Sequence, residues 1–437
     1  MRLHAVVVVI VSALLAGASS AGAQIRPVPP GWQLERAVLL SRHGVRSPIV
    51  PMEELDRHAA TPWPTWPVPP GYLTSRGAEL MSLMGRYYRV LYGGRGMVQS
   101  DDCPPAGTVA VWTDTDQRAR QSGAALIAGM YPRCPALAAG SLKDGTGSDP
   151  LFHAEPSASC PMDAAANRAA ILARIGGDFG SVSREYADPL AKMQAVLCPA
   201  DTAGGGSRCN LMAVASSLEV QANGGVSIKG PFGIASTAAE TFLMEAAEGW
   251  PKDKVAWGRL ANDAELTDLL SIHRLYVDLT QKTPVVARQK GSNMLTQILA
   301  TLLDGHKFPD LTPRVEPVRF ALLVGNGENI SNIEGMLKLG WQIPGFQANE
   351  AAPGGALAFE LYHEPHTGHR YVRIAYYAQT LEQMREAKEL TLSHPPGMQA
   401  VDLPACAAYV HENACPLDRF TAIVKEAIDP GCVAIKP

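Results

Sequence analysis

The chain has 437 residues, 46% of them hydrophobic and 18% charged, which is enough apolar material for a large core and excludes a disordered chain. Its net charge of −4 at pH 7 argues against wrapping a nucleic acid, which needs a broad basic surface. A small anionic substrate held by a local arginine cluster stays compatible with that charge.

In chain order, Arg2 precedes an apolar run from Ala5 to Leu15, and Ala21-Gly22-Ala23 gives a small-x-small cleavage site before Gln24. Residues 1–23 therefore read as a secretory signal peptide whose apolar run is too short to span a bilayer. The expected product is exported, to the periplasm or the medium, with no membrane span. Eight cysteines fit that compartment: Cys103, Cys134, Cys160, Cys198, Cys209, Cys406, Cys415 and Cys432. An even count implies a disulfide framework, and spacing alone leaves about 105 connectivities open. No C-x-x-C pair supports zinc.

Arg36–Ser41 reads as a short buried strand leading into His43-Gly44. Pro62–Pro70, rich in Pro and Trp, reads as an irregular loop. Thr74–Tyr92 has helical apolar spacing, with Leu80, Leu83, Met84 and Tyr87 on one face and Thr74 as N-cap. Thr108–Trp112 reads as a second strand, running into Asp114-Thr115-Asp116-Gln117-Arg118 and a helix to about Met130. Residues 160–285 carry helical patterns (Asn167–Ile175, Ala187–Val196, Thr237–Glu248, Asp263–Lys282) and few strands. Gly204-Gly205-Gly206-Ser207 lacks the Lys-Ser/Thr of a P-loop and reads as a plain loop. Arg319–Val324 is a further strand, and Ala356–His363 with Tyr371–Ala378 forms a hairpin. This order predicts an α/β core over 24–159 and 286–437, interrupted by a smaller helical domain over 160–285.

The informative segment is Arg42-His43-Gly44-Val45-Arg46-Ser47-Pro48, just past the end of the first strand, where open α/β sheets bind ligands. Guanidinium forks match phosphate oxygens. Positive charge beside His43 disfavours its imidazolium, so the ring stays neutral and nucleophilic at mildly acid pH. Gly44 is expected to let the backbone approach the ligand closely.

This segment resembles the R-H-G-x-R-x-P signature of the histidine acid phosphatases, closest to the bacterial periplasmic branch of 4-phytases and glucose-1-phosphatases. The likeness extends over nearly the whole mature chain. It is carried further by Trp63-Pro64-Thr65-Trp66-Pro67-Val68, Leu73-Thr74-Ser75-Arg76-Gly77, Asp114–Arg120 and Lys254-Val255-Ala256-Trp257-Gly258. The resemblance implies a phosphoglycerate-mutase-like fold, a mostly parallel sheet flanked by helices with a helical domain inserted. It implies that Arg42, Arg46 and Arg118 hold phosphate, that His43 forms a phosphohistidine, and that no cofactor or metal is required. It also implies the pairs Cys103–Cys134, Cys160–Cys432, Cys198–Cys209 and Cys406–Cys415.

The family's second motif, His-Asp or His-Ala-Glu, falls on Gly325-Asn326-Gly327-Glu328-Asn329-Ile330. Asn326 replaces the histidine and is expected to donate its amide to phosphate. Gly327 stands where the proton-donating aspartate should be. Glu328, at the His-Ala-Glu spacing, is the candidate donor, since a carboxyl titrating near ~4 is partly protonated at acid pH. The family's phytases carry a lysine soon after the first motif; Pro48-Ile49-Val50-Pro51-Met52 has none. Glu240 and Glu245 are expected to add negative charge to a helix facing the pocket. Both features favour a singly phosphorylated ester, such as a sugar phosphate, or a broad range of monoesters over phytate. The alternative is a phosphate-ester-binding pseudoenzyme on the same fold. His363-Glu364-Pro365-His366-Thr367-Gly368-His369 reads as a hairpin tip rather than a metal cluster, and His273 as a packed or capping histidine.

Overall fold

In the computed structural model the described residues are 27–98, 103–142, 148–200, 209–221, 223–304 and 317–433. The proposed leader (1–23) and the glycine-rich loop at 204–207 lie outside them. In chain order the elements are β1 (Gln33–Arg42), α1 (Met52–Leu55), α2 (Ser75–Gly93), β2 (Val109–Thr113) and α3 (Gln117–Met130). A mostly helical stretch follows: α4 (Ala164–Ala173), α5 (Gly180–Glu185), α6 (Ala187–Leu197), a short hairpin of β3 (Ser217–Val220) and β4 (Val226–Lys229), α7 (Pro231–Ala247), α8 (Asp263–Thr280) and α9 (Pro284–Asp304). The chain closes with β5 (Phe320–Gly325), α10 (Gly327–Leu337), β6 (Ala356–His363), β7 (Arg370–Ala378), α11 (Leu381–Glu386), β8 (Gly397–Val401), β9 (Cys415–Pro416) and α12 (Leu417–Ala427).

The sheet order is β2-β5-β1-β6-β7-β8, with β9 on β7. The expected parallel sheet is present as its β2-β5-β1 part, and antiparallel strands extend it from β6 onward. Ala37, Val38, Leu39 and Leu40 of β1 and every residue from Phe320 to Val324 of β5 are fully buried. Such continuous apolar runs belong to strands covered by helices on both faces. Tyr92 of α2 packs edge-on against Phe320, and Phe359 of β6 meets Phe420 of α12. Thr74 caps α2 by accepting from the Gly77 backbone N–H at 2.8 Å. α2 and α3 cross where each lacks a side chain: a Cβ on Gly85 would lie 2.3 Å from the Leu126 carbonyl, and one on Gly129 2.1 Å from that of Ser82.

The parallel register aligns the carboxyl ends of three strands. Arg42 pairs with Gly325, and Thr113 with Val324. His43 N–H then donates to the Gly325 carbonyl and Asp114 N–H to the Val324 carbonyl, both at 2.9 Å. Residues 42–46, 114–118 and 325–328 are thereby brought to one edge. Disulfides join Cys103–Cys134, Cys160–Cys432, Cys198–Cys209 and Cys406–Cys415. Among the described residues no helix is long and apolar enough to cross a membrane.

The Trp-rich loop is packed. Trp63 stacks on Phe242 of α7 and meets Trp257, while Trp66 meets Trp250. Beneath it Glu245 of α7 is 1% exposed, and its carboxylate accepts from Ala256 N–H at 2.8 Å. Ala256 and Trp257 both adopt left-handed backbone angles, φ 50° and 57°. Burial pushes the Glu245 carboxyl up to about 8, against the lowering effect of that hydrogen bond. An unfolded glutamate titrates near ~4.3, so between these values the native state keeps a proton that the unfolded chain has lost. Stability contributed at this site therefore falls as pH rises through that window. Glu245→Gln keeps the acceptor for Ala256 and removes the titration. Its gain in stability over wild type should be about 1–3 kcal/mol larger at about pH 8 than at about pH 4 in paired denaturant melts. An equal difference at both pH values would place the proton elsewhere.

Candidate active site

A cavity of about 370 Å³ opens at the aligned strand ends, between them and helices α7 and α8. Its floor is the segment after β1. His43 is 2% exposed, and Arg42 and Arg46 are each 4% exposed. Gly44 is needed for packing rather than for approach to a ligand. A Cβ there would lie 2.8 Å from both the Gly77 carbonyl and Met81 Cγ, so the backbone after β1 can sit on the start of α2 only without a side chain.

His43 Nδ1 lies 2.8 Å from the Gly44 carbonyl oxygen. A carbonyl only accepts, so Nδ1 carries the hydrogen and Nε2 keeps its lone pair. Burial lowers the imidazole pKa well below its ordinary value, and the charges of Arg42, Arg46 and Arg118 lower it further; the Gly44 contact opposes them. The ring is thus neutral in mild acid and nucleophilic at Nε2.

The three arginines are fixed from several sides. Arg42 Nη1 donates to the Ala351 carbonyl at 2.6 Å and Arg46 Nη1 to that of Ser47 at 3.1 Å. Arg118, in the first turn of α3, donates to Asn326 Oδ1 from Nε at 3.2 Å and from Nη2 at 3.0 Å, and also pairs with Asp116. The Nε atoms of Arg42 and Arg46 are buried without a hydrogen-bond partner among the described residues. Three guanidiniums converging on one cavity mark a place for an anion.

Glu240 of α7 reaches into this cluster. Its Oε1 bridges Arg42 Nη2 at 2.6 Å and Arg46 Nη2 at 3.0 Å. Burial would raise its pKa, but Arg46 and Arg42 outweigh burial and hold the carboxyl well below the usual carboxylate range. Glu245 does not line the cavity and contributes no charge to it. One helical turn and a half separates the two glutamates, which puts them on different faces of α7.

On the second-motif side, Asn326 and Gly327 open α10, whose N-terminus points toward the strand ends. Asn329 Oδ1 accepts from Asn326 N–H at 2.8 Å and closes that turn. A Cβ at Gly327 would lie 3.3 Å from Arg42 Cδ, so a side chain at 327 would project toward the arginines. Asn326 does not present its amide hydrogens to the cavity as expected. Its Nδ2 donates to Asp114 Oδ2 at 2.8 Å, and its oxygen faces Arg118. The Asp114 carboxylate takes those hydrogens because it is fully buried and needs donors. Glu328 is exposed on the cavity wall.

Two residues of the wall take places that the sequence did not suggest, His153 and His273, the latter read as a packed or capping histidine, together with the buried Asp114 behind them. Asp114, quoted only as the start of the Arg118 segment, is the buried acceptor just described. His153 places Nε2 2.7 Å from the same Asp114 Oδ2. His273 lines the cavity from α8, its Nδ1 3.0 Å from Ser236 Oγ. No periodicity or motif marks His153, which sits in a loop between α3 and α4; only the fold brings it to Asp114. Asp114, Asp116 and His153 hold their polar atoms within 4.8 Å of one another. Arg118 already pairs with Asp116, so one of the three is committed to a guanidinium. The 363–369 segment is the exposed turn of the β6–β7 hairpin.

Residues 33–194 match the family described as Histidine phosphatase superfamily (branch 2). The chain is 34% identical over 411 residues to Phytase AppA of Escherichia coli (strain K12), covering 92% of this chain and 94% of that protein. It is 26% identical over 412 residues to Glucose-1-phosphatase of Salmonella typhimurium, covering 93% and 96%. Among solved structures, Hafnia alvei phytase in complex with tartrate superposes with a TM-score of 0.86 at 36% identity, over 93% of this chain and 100% of that one. A buried neutral histidine ringed by three arginines, on this fold and with these relatives, makes the chain a member of the histidine phosphatase superfamily, branch 2.

Proposed function

We propose that the chain is an exported acid phosphatase that hydrolyses phosphate monoesters through a phosphohistidine at His43. One observation carries the reading: a buried imidazole, its Nδ1–H spent on the Gly44 carbonyl, stands among three guanidiniums that line one cavity. Arg42, Arg46 and Arg118 bind the phosphate oxygens and stabilise the charge of the transition state. The Nε2 lone pair attacks phosphorus, the P–O ester bond breaks, and its electron pair leaves on the alcohol oxygen with a proton from the wall. Water then attacks phosphorus, the P–N bond breaks, and the imidazole recovers its lone pair. Glu328 and His153 are titratable groups of the cavity wall. No step requires a metal.

Substrate choice follows from charge. Arg42, Arg46, Arg118, Arg274 and Lys282 line the cavity against Glu240, Glu328 and Glu350. Lys282 is already paired with Glu334 at 2.8 Å and Asp278 at 2.9 Å, and Arg274 lies 3.7 Å from Asp278. With Glu240 on the clamp, the free positive charge suits one phosphate better than many. This favours a sugar phosphate or a broad range of monoesters, although relatives include phytases as well as glucose-1-phosphatases. Export rests on the leader-like segment and the four disulfides, which persist in oxidising compartments. A binder without turnover is the second reading, favoured by the missing side chain at Gly327.

Release of nitrophenol from nitrophenyl phosphate tests the core of this reading. His43→Ala should lose roughly 10⁴-fold or more in kcat, and alkali-quenched wild type should carry a base-stable, acid-labile phosphoryl label that the variant lacks. Full activity of His43→Ala would sink the phosphohistidine, and an inactive wild type would favour the binder. Because the His43 pKa is lowered, its protonation should cut kcat/KM only as pH falls below the ordinary imidazole range near ~6.5; an acid limb at or above that value would contradict a buried neutral nucleophile. Glu240→Gln removes the carboxylate that competes for Arg42 and Arg46. Inhibition by inorganic phosphate should tighten about tenfold; weakened inhibition would mean that Glu240 serves mainly to hold the two guanidiniums in place.

A further inference from the structure

We propose that His153, held by Asp114, is the catalytic acid that protonates the leaving oxygen, taking the place left without a side chain at Gly327. This deepens the phosphatase reading and rests on it.

The placement of His153 is built from both sides of the site. Its loop is folded onto Asp149, whose carboxylate accepts from Trp112 Nε1 at 2.8 Å and Leu151 N–H at 2.9 Å. Phe152 and His153 N–H groups donate to the Asp149 carbonyl, at 3.0 and 2.8 Å. Asn329 Nδ2 donates to the Phe152 carbonyl at 2.7 Å, while its Oδ1 holds Asn326 N–H. The turn that begins with Asn326 and the loop that carries His153 thus share one amide. Asn293 Nδ2 adds a bond to the Pro150 carbonyl at 2.8 Å. A single oxygen, Asp114 Oδ2, then receives Asn326 Nδ2 at 2.8 Å and His153 Nε2 at 2.7 Å. Asn326 in turn faces Arg118 of the clamp. His153 is thus linked through Asp114 and Asn326 to Arg118 of the arginine cluster, and it lines the same cavity.

The chemistry fits a donor. A carboxylate oxygen only accepts, so Nε2 carries a hydrogen and Nδ1 is the ring nitrogen that gains or gives up the other. The hydrogen bond to Asp114 raises the imidazole pKa above its ordinary value; burial opposes this, and the charges of Asp114, Glu328 and Asp116 add to it. Asp149 also faces the ring, and Arg118 is the cation on the adjacent element. The imidazolium therefore persists across the acid range in which His43 is already neutral. Nucleophile and acid then hold opposite protonation states at one pH, which acid–base catalysis requires. In the first step His153 Nδ1–H passes its proton to the ester oxygen as the P–O bond breaks, leaving neutral His153. In the second step neutral His153 takes a proton from the attacking water, and phosphate leaves as the P–N bond breaks. Protons balance over the cycle.

The test compares wild type, His153→Asn and Glu328→Gln on glycerol phosphate and nitrophenyl phosphate between about pH 4 and 8. Asparagine keeps a donor for Asp114 but has no transferable proton in this range. His153→Asn should lose about 10²-fold in kcat on glycerol phosphate, whose alkoxide leaves poorly, and only a few-fold on nitrophenyl phosphate. It should also lose the alkaline limb of the glycerol phosphate profile. In wild type, the His153 pKa read by NMR should lie above ~6.5 and coincide with that limb. Equal losses on both esters, an unchanged limb, or a limb that does not match the NMR value would each overturn the assignment. So would a hundredfold loss in Glu328→Gln beside a nearly intact His153→Asn, which would put the proton on Glu328. If wild type turns over neither ester, the phosphatase reading itself fails. That result differs from an active wild type insensitive to His153.

Discussion

Crowding like charge around a buried imidazole is the constraint on which the site is built. Three guanidiniums converge on His43 in a place from which water is largely removed, so their mutual repulsion is weakly screened. Such a cluster holds together only when each cation has other partners. The structure supplies them from different parts of the chain: carbonyls of Ser47 and Ala351, Asp116 and Asn326 for Arg118, and Glu240 for Arg42 and Arg46 together. Burial, with the same field added to it, keeps His43 uncharged. The cost of concentrating charge is thereby turned into nucleophilicity at Nε2, and into affinity for an anion that completes the cluster.

Asp114 plays the complementary part on the other wall. It is fully buried, and its two oxygens are satisfied by Thr115 N–H at 2.7 Å, Asn326 Nδ2 and His153 Nε2. A buried carboxylate with several donors orients each of them. Asn326 is turned away from the cavity by this bond, which is why an amide expected on the phosphate faces the protein instead. The two walls differ in electrostatic character. One holds a histidine neutral with cations, and the other draws a proton to a histidine with carboxylates. Two imidazoles in one cavity are driven apart in pKa by their surroundings alone.

Much of this was legible in the sequence. The buried strand before Arg42, the Thr74 cap, the helices of the 160–285 stretch and the 356–378 hairpin follow from periodicity and capping. Those signals are local. The Arg-His-Gly-x-Arg segment was legible because its chemistry is compressed into five consecutive residues. Glu240 and Glu245 show where that reading ends. Helical spacing places both on α7, but only the packing of α7 against the Trp63 loop decides that Glu240 meets the arginines and Glu245 is sealed beneath Ala256.

The sequence by itself singled out His43 as the candidate nucleophile, the arginines beside it, the resemblance that led to the family and the absence of a side chain at 327. Each of these is a matter of residue identity at positions close along the chain. The tertiary structure alone decided which carboxylate neutralises the clamp, which way Asn326 points, that Gly44 serves helix packing, and that His153 joins Asp114. Those outcomes depend on contacts between residues 33 to 212 positions apart. Such contacts exist only once parallel register has brought three strand ends to one edge, and no local pattern encodes them.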